Sequence, residues 1–183
     1  MIRFTCGDYT VSASLGGPPA IYDRYVEHAL LHDNLGMSGV DGSEFVVLVE
    51  GVASNWPELV CAQRFSPGLD AAFYPSLLLI PESHLLFVGA GTRLLAYDLR
   101  TPRRLWEDEA EMGFWAWKRH DGVIIMSAEL EFAAWDIQGK KLWTTFVEPP
   151  WEYRVIGSKV ELNVMGHPSS FELHTGPFSR PAG

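Results

Sequence analysis

Ala96-Tyr97-Asp98-Leu99 and Ala134-Trp135-Asp136-Ile137 say nearly the same thing 38 residues apart. The likeness extends on both sides. Upstream, Leu86-Phe87-Val88 answers Ile124-Ile125-Met126, again at 38. Downstream, Arg104-Leu105-Trp106 answers Lys141-Leu142-Trp143 at 37. A weaker copy follows at an offset of 36: Trp115 and Trp117 correspond to Trp151 and Tyr153, and Trp135-Asp136-Ile137 to Phe171-Glu172-Leu173. A fixed period of this size marks a repeat architecture, in which one supersecondary unit recurs and buries its apolar faces against its neighbours.

The clearest copy shows what the unit is. Phe114 to Lys118 is a first apolar run, closed by a His120-Asp121-Gly122 turn. Val123 to Ala128 is the second, Leu130 to Ile137 the third, ending at Gln138-Gly139-Lys140, and Lys141 to Val147 the fourth. The runs are rich in β-branched and aromatic residues, and Gly or Asp-Gly separates them. That is the pattern of antiparallel strands joined by tight turns. Four strands in about 35–45 residues make one propeller blade. A helical reading fails, because no ten-residue segment from Leu77 onward keeps a 3.6 period without Gly or Pro.

The motif resembles that of a known family. Ala96-x-Asp98-x-x-Thr101-x-x-x-x-Trp106 has the spacing of the A-x-D-x-x-T-G-x-x-x-W repeat of quinoprotein-type (PQQ-like) β-propellers. Pro102 stands in place of the usual Gly. The second copy, Ala134-x-Asp136-x-x-Gly139-Lys140-x-x-Trp143, has one residue fewer in the turn. In the third, Ser170-x-Glu172-x-x-Thr175-Gly176, Glu replaces Asp and no Trp follows. The resemblance implies structural roles: Asp98 and Asp136 close the turn after the third strand, and Trp106 and Trp143 dock between blades. Both roles also follow from the side chains, since an Asx carboxylate bonds its own turn backbone and a buried indole contributes large apolar area. The resemblance does not extend to a quinone cofactor. Family enzymes build that site from many blades, this chain has room for about four, and Cys6 and Cys61 are not a vicinal pair. No cofactor is expected.

The 183 residues are enough for one domain with a real core. Hydrophobic residues make up 47%, with seven Trp, which excludes disorder. A net charge of −9 repels nucleic acid and favours basic partners. No run approaches the length of a membrane span. The start, Met1-Ile2-Arg3-Phe4-Thr5-Cys6-Gly7-Asp8, lacks a signal-peptide core, and two Cys make no disulfide framework. A cytoplasmic protein with reduced thiols is expected.

Residues 1–75 read as a divergent N-terminal blade, followed by repeat blades at 76–111, 112–149 and 150–183. Arg3 to Cys6, Tyr9 to Leu15, Glu44 to Gly51 and Glu58 to Phe65 suit strands, the last ended by Ser66-Pro67-Gly68. Ile21 to Leu31 fits a short helix or a strand, and His32 to Ser43 reads as a loop. After Gly176 the tail stops before a fourth strand. Either the N-terminal strand completes the last blade or that blade stays three-stranded. The expected fold is therefore all-β, a small four-bladed or open partial propeller.

Three groups of residues are candidate sites. Glu107, Asp108, Glu109 and Glu111 form an acidic inter-blade loop, either solvated surface or a contact for a basic protein, with Glu148, Glu152 and Glu161 adding charge nearby. Trp115 and Trp117 sit two apart on one strand and point to one face, and Trp151 and Tyr153 repeat this a blade later. They form either inter-blade core or a platform for a peptide or sugar. His28 and His32, at i and i+4 beside Asp33, would suit a metal on a helix, but no third ligand has motif spacing, so no metal is expected. Neither G-x-S-x-G, P-loop nor C-x-x-C occurs. The reading is a non-catalytic module binding a basic protein, as an immunity protein neutralising a toxic nuclease does. The alternative is a carbohydrate-binding or carbohydrate-hydrolysing propeller using the Trp-rich region.

Overall fold

Turn chemistry and apolar runs together divide the chain into four sheets. The computed structural model describes residues 1–39, 41–66 and 73–177. The first sheet contains β1 (Ile2–Cys6), β2 (Tyr9–Leu15), β3 (Leu31–Leu35), β4 (Ser43–Gly51) and β5 (Leu59–Phe65), in the spatial order β1-β2-β4-β5-β3. β3 runs parallel to its neighbour, β5. The second is the meander β6 (Ser76–Ile80), β7 (Leu85–Ala90), β8 (Arg93–Asp98) and β9 (Arg103–Glu109). The third is the meander β10 (Phe114–His120), β11 (Val123–Ala128), β12 (Glu131–Asp136) and β13 (Lys141–Phe146). The last sheet has three strands, β14 (Trp151–Ile156), β15 (Lys159–Val164) and β16 (His167–Glu172).

These sheets stack face to face in chain order. Strand alternation sends successive side chains to opposite faces, so a strand buried on both faces reads as a continuous apolar run. β7 and β11 are such strands, buried at every position. In β11, Ile124 and Met126 join the core between the second and third sheets. Val123 and Ile125 join the core between the third and fourth. In β7, Leu86 and Val88 face the first sheet, while Leu85 and Phe87 face the third. Each buried aliphatic or Phe side chain contributes roughly 1.5–3 kcal/mol relative to exposure. Among the described residues, no core cluster joins the first sheet to the last. The molecule is thus an all-β, open, partial propeller with no closed barrel.

The two ends of the stack are finished differently. The outer face of the first sheet presents Val46, Leu48, Val60 and Ala62, and helix α1 (Tyr22–His28) covers them with Tyr22, Tyr25 and Val26. The outer face of the last sheet is polar, with Glu152 and Arg154 of β14 and Lys159 and Glu161 of β15 exposed. A repeat stack needs such terminal caps for solubility.

Several expectations are corrected here. Ile21 to Leu31 gives a helix and then the start of β3, so the loop expected over His32 to Ser43 instead begins as a strand. Leu31 and Leu35 pack against the first core, which pulls this polar segment into the sheet as its outer edge. β1 bonds to β2, so it does not complete the last sheet, which has three strands among the described residues. The acidic stretch is loop only at its end: Glu107, Asp108 and Glu109 belong to β9, paired against Leu95, Leu94 and Arg93 of β8, while Glu111 lies in the connection to β10. Pro67 and Gly68 of the expected turn, and residues 178–183 of the tail, lie outside the described residues.

Candidate binding surface

The repeat motif lies at the seams between sheets. The Asp98 carboxylate accepts hydrogen bonds from the Arg100 N–H (3.0 Å) and the Thr101 hydroxyl (3.2 Å). Burial acts to raise its pKa, but those bonds and the Arg103 side chain outweigh it and hold the carboxyl below the usual range. Asp136 accepts from the Gln138 and Lys140 N–H groups at 3.0 and 2.9 Å. The Trp of the second and third sheets each then reaches the corresponding turn of the sheet that follows. Trp106 Nε1 donates to the Gly139 carbonyl at 2.7 Å and stacks on Trp135. Trp143 Nε1 donates to the Leu173 carbonyl at 2.7 Å. Gly176, at φ 73°, lies directly over Trp143, where a Cβ would overlap the indole. Trp143 is buried, whereas Trp106 is only half-buried.

Half of the acidic cluster is occupied within the chain. Glu107 pairs with Arg93 (3.1 Å) and Arg104 (3.0 Å). Asp108 reaches Lys141 of the next sheet at 2.9 Å. Lys141 also lies 3.5 Å from the nearly buried Glu131 and over the Trp135 ring. These contacts tie β9 to β13. Glu109 and Glu111 are exposed.

The aromatic pair is divided. A β-bulge between Phe114 and Ala116 inserts Trp115 as an extra residue in β10. The bulge breaks the alternation that would have put Trp115 and Trp117 on one face. Trp117 is buried against Phe87, Phe114 and Trp135 between the second and third sheets. Trp115 turns to the last sheet and stacks on Trp151 with centroids 5.2 Å apart. Trp151 in turn contacts Phe132 and Tyr153 and donates to the Glu129 carbonyl. Each indole gives one face to this stack, and Trp115 stays 39% exposed. Burial pushes the Tyr153 phenol up to about 12, so it stays neutral and cannot serve as a base near pH 7.

His28 and His32 lie on different elements, α1 and β3, and do not share one helix. His28 stacks on Trp56, and His32 bonds the Tyr22 hydroxyl at 3.0 Å. Asp33 instead sits in a seam between the first two sheets. It accepts from the Tyr97 hydroxyl at 2.8 Å and pairs with Arg104 at 3.2 Å. Cys61 is buried in the same seam, 3.2 Å from the Tyr97 oxygen, and desolvation pushes its thiol up to about 12. Among the described residues, no three His, Cys, Asp or Glu side chains are placed to hold a metal. None of the described helices is long and apolar enough to cross a membrane.

Two concavities bear on binding. One, of about 590 Å³, lies on the polar outer face of the last sheet and is lined by Glu152, Arg154, Glu161 and Asn163. The other, of about 300 Å³, is an apolar groove between the β1–β2 edge of the first sheet and β6 of the second. Ile2, Phe4, Leu15, Phe45, Pro75 and Leu77 line it. Ile2 is 71%, Leu15 46% and Phe4 37% exposed. The alternation from Arg3 to Cys6 was visible in the sequence as a strand signal, without Ile2. What it did not disclose is that β1 lies at a sheet edge, its apolar side chains exposed among the described residues.

This arrangement defines a class, a small open stack of propeller-type sheets with an apolar groove at one free edge. No sequence profile of a protein family matches the chain, and no curated protein matches it in sequence. Among solved structures it is similar in fold to BamB from Moraxella catarrhalis, with a TM-score of 0.45 and 15% identity, covering 79% of this chain and 49% of that one. Hsv2 from Kluyvelomyces marxianus matches with a TM-score of 0.37 and 7% identity, covering 79% and 50%. The chain spans about half the length of either.

Proposed function

We propose that this chain is a non-catalytic protein-binding module built on quinoprotein-type repeats, and that its partner is basic. The carrying observation is the apolar groove beside β1, with Ile2 at 71% and Leu15 at 46% exposure on one continuous face. Contiguous exposed apolar surface rimmed by polar residues marks interaction sites. The net charge of −9 supports a basic partner, with Glu109 and Glu111 exposed to steer its approach. The reading takes the cytoplasm as its setting, where the unbridged Cys6 and Cys61 would stay reduced. Neutralising a toxic basic protein is one role that this chemistry suits.

The test is a photo-crosslinker placed at Ile2 of the full chain in its native cells. A discrete protein adduct is expected, lost in the Phe4→Asp variant and formed more slowly as salt rises. Absence of an adduct, or one that persists unchanged in Phe4→Asp, would overturn the reading.

A further inference from the structure

We propose a second contact, beyond the apolar groove: the outer face of the last sheet seats an arginine side chain of a basic protein partner between Glu152 and Asn163, with Trp151 as its apolar wall.

The first observation is a pair of acceptors without a donor. β14 and β15 set Glu152 directly opposite Asn163. Residues paired in this way share one face, with Cβ atoms about 4.5–5.5 Å apart. The Asn163 Oδ1 is buried and accepts no hydrogen bond within the chain. The Glu152 carboxylate is exposed and, among the described residues, forms no ion pair. Arg154, two residues along β14, stands opposite Glu161 instead. Two adjacent acceptors suit a group that carries donors only, and a buried acceptor left without one is costly.

The second observation is the cavity that these two residues share. Toward Trp151 the polar concavity of this face continues into a smaller one of about 200 Å³, lined by Pro150, Trp151, Glu152, Asn163 and Gly166. Its lining has a carboxylate and no Lys or Arg. Its apolar wall is held in place. The Trp151 N–H donates to the Glu129 carbonyl at 3.2 Å, and Trp115 backs the ring with centroids 5.2 Å apart. A wall fixed before binding loses little freedom when a ligand is seated.

The surroundings favour a cation. Backbone bonds tie the connections at this end of the last two sheets, Glu129 to Gly113, Leu130 to Glu111, Val147 to Leu130 and Met165 to Pro150. These connections carry Glu111, Glu129 and Glu148, and neither Lys nor Arg occurs in residues 105–117, 120–139 or 142–153. Arginine fits better than lysine. Its stem packs on Trp151 and Pro150 while its planar fork offers N–H groups to both acceptors, whereas an ammonium is a point charge. A neutral sugar gains nothing from the charge of these acids.

The probe is a blocked pentapeptide with one Arg between glycines, titrated against the full chain and followed by the Trp151 indole and Asn163 side-chain amide resonances. Its citrulline version is compared with it. Expected are saturable shifts of both resonances, and a loss in affinity of about three- to tenfold for Glu152→Gln and for the citrulline peptide. Arg154→Ala removes the neighbouring cation and should bind more tightly. Glu152 is exposed, so its variant folds, and the citrulline peptide needs no variant at all. Glu27→Gln removes the same charge from α1, at the far end of the stack, and should change little. Equal losses from Glu152→Gln and Glu27→Gln would show diffuse attraction and overturn the inference. Equal binding of the citrulline peptide, or no binding of the Arg peptide, would overturn it as well. Free arginine binding as tightly as the peptide would make this an amino-acid site rather than a partner contact. Cellohexaose shifting the two resonances where the peptide does not would give the face to a carbohydrate. In each of these cases the crosslinking result at Ile2 stands.

Discussion

Trp143 does two things at once. Its indole fills the seam between the third and last sheets against Phe132 and Phe171, and its N–H satisfies the Leu173 carbonyl. Trp143→Ala removes that volume and leaves a buried carbonyl without its partner. We expect a loss of about 3–5 kcal/mol in chemical denaturation. An unchanged midpoint would remove the docking role. Asp98 makes a different prediction. Its folded-state pKa lies below the unfolded value, so its contribution is present above the ordinary carboxylate range and is lost as pH falls through the lower, folded value. Asp98→Asn should therefore narrow the stability gap to the wild type as pH drops below about 4. A gap that stays constant between pH 7 and 3, measured by urea unfolding, would show that the carboxylate's charge contributes nothing to the turn.

At the scale of elements, the first seam is held by a polar latch. Tyr97 of β8 reaches Asp33 of β3 and Cys61 of β5, while Arg104 of β9 closes on Asp33. Tyr97→Phe leaves the buried side of Asp33 without its donor. It should cost about 1–3 kcal/mol. Cys61, at 0% exposure, should then react faster with iodoacetamide, while labelling of the partly exposed Cys6 stays unchanged. Equal Cys61 labelling rates in both proteins would mean that the latch does not gate the seam. Elements were legible to the extent that burial matched local pattern. β7 and β11 were readable because both of their faces are apolar, so no register choice could hide them. β9 was misread because its acids are matched by Arg104 within the strand, by Arg93 on the neighbouring strand and by Lys141 across the seam, and the last two are contacts that local sequence does not show. β3 was missed for a related reason: its hold is parallel pairing to β5, a non-local contact without a turn signature. The bulge at Trp115 displaced a side-chain assignment that strict alternation would have fixed.

At the scale of the molecule, the sheets form a line. Each core is shared by two neighbours, and none spans the stack among the described residues. Stability in such an array is close to a sum of sheet terms and nearest-neighbour interface terms. The second and third sheets each have two apolar interfaces. Among the described residues the last sheet has one, because its other face carries Glu152, Arg154, Lys159 and Glu161, and it shows no fourth strand like those that supply Trp106 and Trp143 elsewhere. Local opening should therefore begin there. In native-state hydrogen exchange, amides of β15 should exchange through an opening of lower free energy than those of β7 and β11. Trp143→Ala should widen the difference, since it weakens the single interface that holds the last sheet while leaving the core between the first two sheets untouched. Uniform protection across β7, β11 and β15, rising and falling together with denaturant, would instead mean that the stack unfolds as one unit and that its interfaces outweigh its ends.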